Sequence, residues 1–243
     1  MIPFMRMVLA TTFLATVVPL AALFVFPWTL IARKVGLLYW SGMTIIRATV
    51  RITGTRVAVQ GMDQIDPAGT YIFMSYHVSN LDPIILMPLI PRRTSVLVKK
   101  ELWRLPVVGR AFDLASLVPV DRSNREAAIE SIRRAGDVMR QGVNMMLYPE
   151  GTRSTDGRLL PFKKGPFHLA IETGFPVVPV TMLNTFEMLP KGEFAAKGGT
   201  ATVVFHPALD PKKFSSIEEL VAATENVIRS ASPTDRPGPT ARF

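Results

Sequence analysis

Two stretches of this chain hold residue types suited to moving a proton beside a bound anion. The first runs from Tyr71 to Pro83. A strand-like apolar segment ends on His77, and Asp82 stands directly before Pro83. Proline is favoured at the first position of a helix and aspartate at the cap before it. The order is therefore strand, short loop, helix, with His77 at the strand's exit and Asp82 at the helix entrance. One carboxylate oxygen would cap the helix while the other accepts the proton on one imidazole nitrogen. The second ring nitrogen is then left as a general base. A histidine near an aspartate is also a common structural contact, so the pair alone does not establish a site.

The second stretch is Tyr148-Pro149-Glu150-Gly151-Thr152-Arg153-Ser154. An apolar strand stops at a proline and then offers an acid, a glycine, a hydroxyl and an arginine. In open α/β sheets ligands bind outside the carboxyl ends of the strands. Gly151 lets backbone approach a ligand closely, and the Arg153 guanidinium can fork onto phosphate or carboxylate oxygens. Two further strand ends carry cations: Lys99-Lys100-Glu101-Leu102, followed by Pro106 and Gly109, and Asp121-Arg122. Lys99 or Lys100, Arg122 and Arg153 would together line a basic pocket for a phosphate dianion. The competing reading is a set of solvated charges at turns.

These residues need a scaffold, and the chain of 243 residues is long enough for one α/β domain plus an appendage. From residue 55 onward, strand-like runs at Arg56–Gln60, Thr70–Tyr76, Ser95–Lys99, Ser116–Val120, Asn144–Tyr148, Val177–Met182 and Thr200–Phe205 alternate with helical patterns. The helices fall at Pro83–Leu89, Arg125–Gln141, Lys164–Thr173 and Ile217–Ser230. Ala128, Ile132, Ala135 and Met139 share one stripe of the second of these, its core face. Strands that are apolar throughout, separated by helices, predict a mixed, largely parallel sheet covered on both faces. The organisation expected is a helical membrane-anchoring segment over 1–52, a catalytic domain over 53–231 and a disordered Pro/Gly-rich tail over 232–243.

The anchor rests on an uncharged run from Met7 to Ala32, long enough as a helix to cover the roughly 30 Å of a bilayer core. It is too long for a signal peptide, and Arg33 and Lys34 after it favour keeping the rest on the cytoplasmic side. Pro19 and Pro27 complicate a simple span. The segment from Val35 to Val50, with Tyr39, Trp40 and Arg47, suits an interfacial helix. Two readings stand: a spanning helix, or a two-helix hairpin dipping into one leaflet. A buried core helix is the alternative to both.

Lys and Arg outnumber Asp and Glu by 28 to 19, for a net charge of +9. Such an excess suits nucleic acid, an anionic membrane or an anionic substrate. The chain has no basic repeat with interleaved aromatics and no reader motif, which argues against nucleic acid. Without cysteine there is no disulfide, thiolate nucleophile or zinc–thiolate site, and the spacing of His77, His168 and His206 does not suggest a metal.

Taken in order, these stretches resemble the four motifs of the PlsC-type 1-acyl-sn-glycerol-3-phosphate acyltransferase family. His77 and Asp82 match H-x(4)-D. Lys99-Lys100-Glu101-Leu102 through Gly109 to Asp121-Arg122 resembles the second motif. Tyr148 to Ser154, continuing into Pro161-Phe162-Lys163-Lys164-Gly165, matches the third, and Val177-Val178-Pro179-Val180 the fourth. The match covers about half the chain, residues 70–182. Tyr76 departs from it, standing where the family usually has Asn, which puts a hydrogen bond near the base in doubt. The resemblance implies the glycerolipid acyltransferase fold. It also implies acyl transfer from acyl-CoA or acyl-carrier protein, the only co-substrate and with no cofactor, to the sn-2 hydroxyl of lysophosphatidic acid. His77 would be the base and Asp82 its orienting acid. Arg153, Arg122, Lys99 and Lys100 would hold the phosphate, with Glu150, Gly151 and Thr152 shaping that pocket. Pro179 and Val178 would lie by the acyl donor. The expected setting is the cytoplasmic face of a bacterial inner membrane, with membrane lipids as partners. Other acceptors (glycerol 3-phosphate, another lysophospholipid, a lyso-aminolipid) fit the same motifs. A serine hydrolase is disfavoured because the chain has no G-x-S-x-G elbow. An inactive membrane-binding module is disfavoured by the intact dyad. The motifs leave open the choice of donor, the chain length and the oligomeric state.

Overall fold

The computed structural model describes residues 2–121 and 124–231. The expected tail and Arg122 lie outside them. Seven strands form one sheet in the order β1-β7-β6-β2-β5-β3-β4. They are β1 (Thr55–Gln60), β2 (Ile72–Ser75), β3 (Thr94–Lys99), β4 (Val118–Val120), β5 (Asn144–Leu147), β6 (Val177–Leu183) and β7 (Gly199–Phe205). All seven expected strands are present. Every neighbouring pair is parallel except β6 with β7. That one reversal puts the starts of β1 and β7 on the same sheet edge as the carboxyl ends of β2, β3, β4, β5 and β6. His77 leaves β2 at that edge.

The central strands β2 and β5 are buried along their whole length. Their unbroken apolar runs therefore need cover on both faces. One face packs Phe73, Met146, Val178 and Val203 against Leu81, Ile85 and Leu86 of α3 (Leu81–Leu86) and Val50 of α2 (Gly36–Ile52). The other packs Ile72, Met74, Met145 and Val177 against α5 (Arg125–Arg140), α6 (Gly165–Thr173) and α8 (Ile217–Ala231). Ala135 and Met139 point inward from α5 as its periodicity predicts, and Asn124 caps that helix by accepting from the Ala127 N–H. Two short helices were not anticipated, α4 (Pro106–Leu114) and α7 (Thr185–Met188). At four residues α7 is too short for a periodic signal, and α4 lies in the stretch through Pro106 and Gly109 that was read only as part of the second motif.

The N-terminal helix α1 (Ile2–Ala32) runs through both Pro19 and Pro27. It is long and apolar enough to cross a membrane, and only 6% of its most apolar window is buried. The buried-core-helix reading is thereby overturned: α1 is left largely exposed, and an apolar helix so exposed needs a lipid partner. It pairs with α2, and α2 is fastened to the domain near both ends. The Tyr39 hydroxyl accepts from the Thr94 N–H at the start of β3, and Val50 enters the core. Arg6 of α1 lies against Gly54, where a Cβ would stand 2.3 Å from its guanidinium. The start of α1 thus meets the domain at the edge that carries His77.

Candidate active site

His77 sits where β2 runs out into a loop before α3. Its Nδ1 lies 2.8 Å from Asp82 Oδ2. The same carboxylate oxygen accepts the backbone N–H groups of Val78 and Ser79, each at 2.8 Å. An ionised carboxylate only accepts hydrogen bonds, so Nδ1 carries the proton and Nε2 is the basic nitrogen. The imidazole is 18% exposed and Asp82 is sealed at 0%, so the ring is reachable while its carboxylate partner is dry.

The division of labour expected of Asp82 needs correction. The helix begins at Leu81 with Asn80 in the cap position, so Asp82 is inside the first turn and caps nothing beyond itself. All three hydrogen bonds converge on Oδ2, and the buried Oδ1 has no hydrogen-bond partner. The aspartate closes its own loop backwards onto residues 77–79. Helix capping falls instead to Ser79, whose Oγ accepts the Leu81 N–H and donates to the Leu189 carbonyl. Ser79 is fully buried, which removes the best-placed serine as a nucleophile.

The second stretch grips His77 by its main chain. Glu150 Oε2 accepts the His77 N–H at 2.8 Å and the Ser154 N–H donates to the His77 carbonyl at 2.8 Å. Glu150 Oε1 accepts the Leu160 N–H at 2.7 Å. Glu150 is only 2% exposed. Its carboxylate is turned onto backbone donors, so it holds the His77 main chain in place instead of shaping a phosphate pocket as expected. The Tyr148 ring stacks on the imidazole with centroids 4.2 Å apart. Its buried hydroxyl has no hydrogen-bond partner, and burial, with the Asp82 charge adding to it, pushes the phenol well above its ordinary range. It therefore stays neutral beside the dyad.

Of the expected cations, Arg153 lies beside the His77 loop. Its guanidinium donates to the Asn80 side chain, in the loop between His77 and α3. Gly151 takes a positive φ of 72°, and a Cβ there would meet the Lys163 amine at 3.0 Å. Lys163 therefore crosses directly over the turn, while the Lys191 amine lies 3.3 Å from the Arg153 carbonyl. Thr152 is exposed on the same turn. Among the described residues, Arg153, Lys163 and Lys191 are thus cations gathered at the Gly151–Arg153 turn, with Arg153 reaching the His77 loop. The lysines expected from the second motif are placed differently: Lys100 is paired with Asp121, and Lys99 is exposed at the end of β3, separated from β2 by β5. Lys163 had a signal, being within the run that extends the third motif. Lys191 had none, because it follows a loop with no motif.

Val178 and Pro179 are buried within β6, in register with Phe73 and Met74 of β2. They brace the strand that delivers His77, and neither reaches the sheet edge. Tyr76 donates its hydroxyl to the Met182 carbonyl on β6, so the departure from the family pattern is absorbed in the core and the His77–Asp82 contact is intact.

Residues 56–183 match the family model described as Acyltransferase. A 1-acyl-sn-glycerol-3-phosphate acyltransferase of Limnanthes douglasii is 34% identical over 215 residues, covering 87% of this chain and 75% of the relative. The human 1-acyl-sn-glycerol-3-phosphate acyltransferase alpha is 32% identical over 178 residues, 73% of this chain and 62% of the relative. The crystal structure of the 1-acyl-sn-glycerophosphate (LPA) acyltransferase PlsC from Thermotoga maritima superposes with a TM-score of 0.77 at 26% identity. It covers 93% of this chain and 94% of that one. With the His77 imidazole bonded to its buried aspartate and the motif loop gripping His77 on one sheet edge, the chain belongs to the acyltransferase family and is an acyltransferase enzyme.

Proposed function

We propose that the chain transfers an acyl group from acyl-CoA or acyl-carrier protein to the sn-2 hydroxyl of 1-acyl-sn-glycerol 3-phosphate, giving phosphatidic acid. The observation that carries this reading is the His77–Asp82 pair with Nε2 free, beside the cations of the Arg153 turn. Nε2 takes the hydroxyl proton as that oxygen bonds to the thioester carbonyl carbon. The carbon–sulfur bond then breaks and the imidazolium returns the proton to the leaving thiolate. Asp82 holds the ring in the required tautomer and balances the imidazolium. A placed general base contributes about 10²–10⁴-fold. Arg153 is the group proposed for the acceptor's phosphate, with Lys163 and Lys191 in support. A thiolate leaves readily, so the sequence of steps needs no covalent acyl-enzyme.

The membrane reading follows from how the helices pack. α1 lies along α2, and α2 is pinned to the domain at Tyr39 and Val50. A bilayer-spanning α1 would carry α2, with exposed Arg47 and Arg51, and part of the domain into hydrocarbon. This supports the pair dipping into one leaflet, with the domain on the cytoplasmic surface. Basic residues at such a surface attract anionic lipid by about 1 kcal/mol each.

The test offers purified full-length protein lysophosphatidic acid, glycerol 3-phosphate and lysophosphatidylcholine, each with both donor types. Phosphatidic acid formed from the first acceptor alone is expected. Preferential acylation of glycerol 3-phosphate would transfer the reading to that acceptor, and rapid thioester hydrolysis without acceptor would replace it with a hydrolase.

A further inference from the structure

A groove of about 360 Å³, which His77 does not line, runs between α2, α3 and the edge strand β1. That is within the roughly 300–1,000 Å³ typical of small-ligand sites. Its floor is apolar, formed by Val50, Ile84, Ile85 and Leu89, and its walls carry Arg47, Arg51 and Arg56, with no acidic residue in the lining. Arg47 and Arg51 are one helical turn apart on α2, and Arg56, at the start of β1, lines the same groove. All three are exposed. The Arg47 guanidinium donates to the Pro88 carbonyl just beyond α3, which ties the two helical walls together. Arg51 and Arg56 are then the groove's remaining exposed charges.

We infer that this groove binds one anionic phospholipid of the surrounding bilayer, its phosphate between Arg51 and Arg56 and the start of an acyl chain on the apolar floor. The charge pattern selects the ligand class. Guanidinium groups suit phosphate oxygens, while a floor of isoleucine, leucine and valine favours a chain over a free anion. The placement selects the source, because α2 is the partner of the lipid-facing helix α1. The groove is separate from the catalytic loop: none of Arg153, Lys163 or Lys191 lines it. Its inner wall is nevertheless the helix that carries Asp82, since Ile84 and Ile85 follow that residue on α3. A lipid seated there holds the catalytic helix against the membrane face of the domain.

The test is a binding measurement without turnover, so its outcome does not depend on the proposed reaction. Full-length protein in phosphatidylcholine–detergent micelles is titrated with phosphatidylglycerol, and retained lipid is counted by native mass spectrometry. One phosphatidylglycerol per chain is expected, weakened at least tenfold in the Arg51→Gln/Arg56→Gln variant. The Arg133→Gln/Arg134→Gln variant, which lowers the net charge equally on α5 at the far face, should bind as the parent does. Inorganic phosphate at millimolar concentration should not compete. Equal loss in both variants would reduce the effect to bulk charge. Unchanged binding in the first variant, equal retention of phosphatidylcholine, or displacement by inorganic phosphate would each overturn the inference.

Discussion

Replacing Glu150 by glutamine separates a positioning role from a substrate-binding one. The carboxylate is 2% exposed and accepts two backbone donors, the His77 N–H at 2.8 Å and the Leu160 N–H at 2.7 Å. Glutamine keeps one acceptor and turns an NH₂ donor onto the other N–H. One hydrogen bond to a charged acceptor is lost, a cost of about 1.5–3 kcal/mol. At roughly 2–4 °C per kcal/mol for a chain of this size, Tm should fall by about 3–12 °C. The His77 backbone would also shift, and a displacement near 1 Å can cost about a hundredfold in rate. Thermal unfolding followed by circular dichroism, together with steady-state kinetics, reads both effects. The expected pattern is a lower Tm and a lower kcat, with little change in KM for lysophosphatidic acid. An unchanged Tm with a selectively raised KM for the acceptor would return the carboxylate to the phosphate pocket and refute the positioning role.

Three further outcomes follow from the same contacts. Arg153→Ala should lower kcat/KM for a phosphate-bearing acceptor about 10- to 150-fold, the equivalent of one charged hydrogen bond of about 1.5–3 kcal/mol; a defect confined to donor affinity would contradict it. Gly109→Ala should destabilise by about 1–3 kcal/mol in chemical denaturation, because its Cβ would stand 2.7 Å from the Trp103 carbonyl oxygen, a backbone atom that cannot swing aside; wild-type stability would mean that the 103–109 corner gives way freely. His206 donates from Nε2 to Thr181 Oγ1, which donates to the Ile228 carbonyl, and burial lowers its pKa. The unfolded chain therefore takes up the proton first, so stability should be level above about pH 6.5 and fall as pH drops below it. His206→Gln should flatten that part of the denaturation profile, and an unchanged slope would assign the pH dependence elsewhere.

The strands were legible because each is a short apolar run bounded by turn residues, and the fold class followed from their alternation with helices. His77 and Asp82 were legible as a pair, because a strand exit and a helix start bring residues five apart within reach. Which oxygen does what was not legible: three donors converge on Oδ2 only after the loop closes backwards, and no spacing rule states that. Glu150 reads in the sequence as an acid beside an arginine, and only the packing of residue 160 against residue 150 turns it inward. The cations were the hardest to place. A lysine at a strand end looks the same whether it meets a ligand or, like Lys100, an aspartate just past the neighbouring strand. Lys191 reaches the site through a loop whose course depends on β6 and β7 running antiparallel, a reversal invisible in local patterning.

The account turns on His77 Nε2 as the proton acceptor, and the most direct test is the single-turnover rate of acyl transfer to lysophosphatidic acid by His77→Ala, with folding checked by circular dichroism. A loss of at least about a hundredfold in a folded protein is predicted. Transfer at the parent rate by a folded His77→Ala protein would contradict the mechanism.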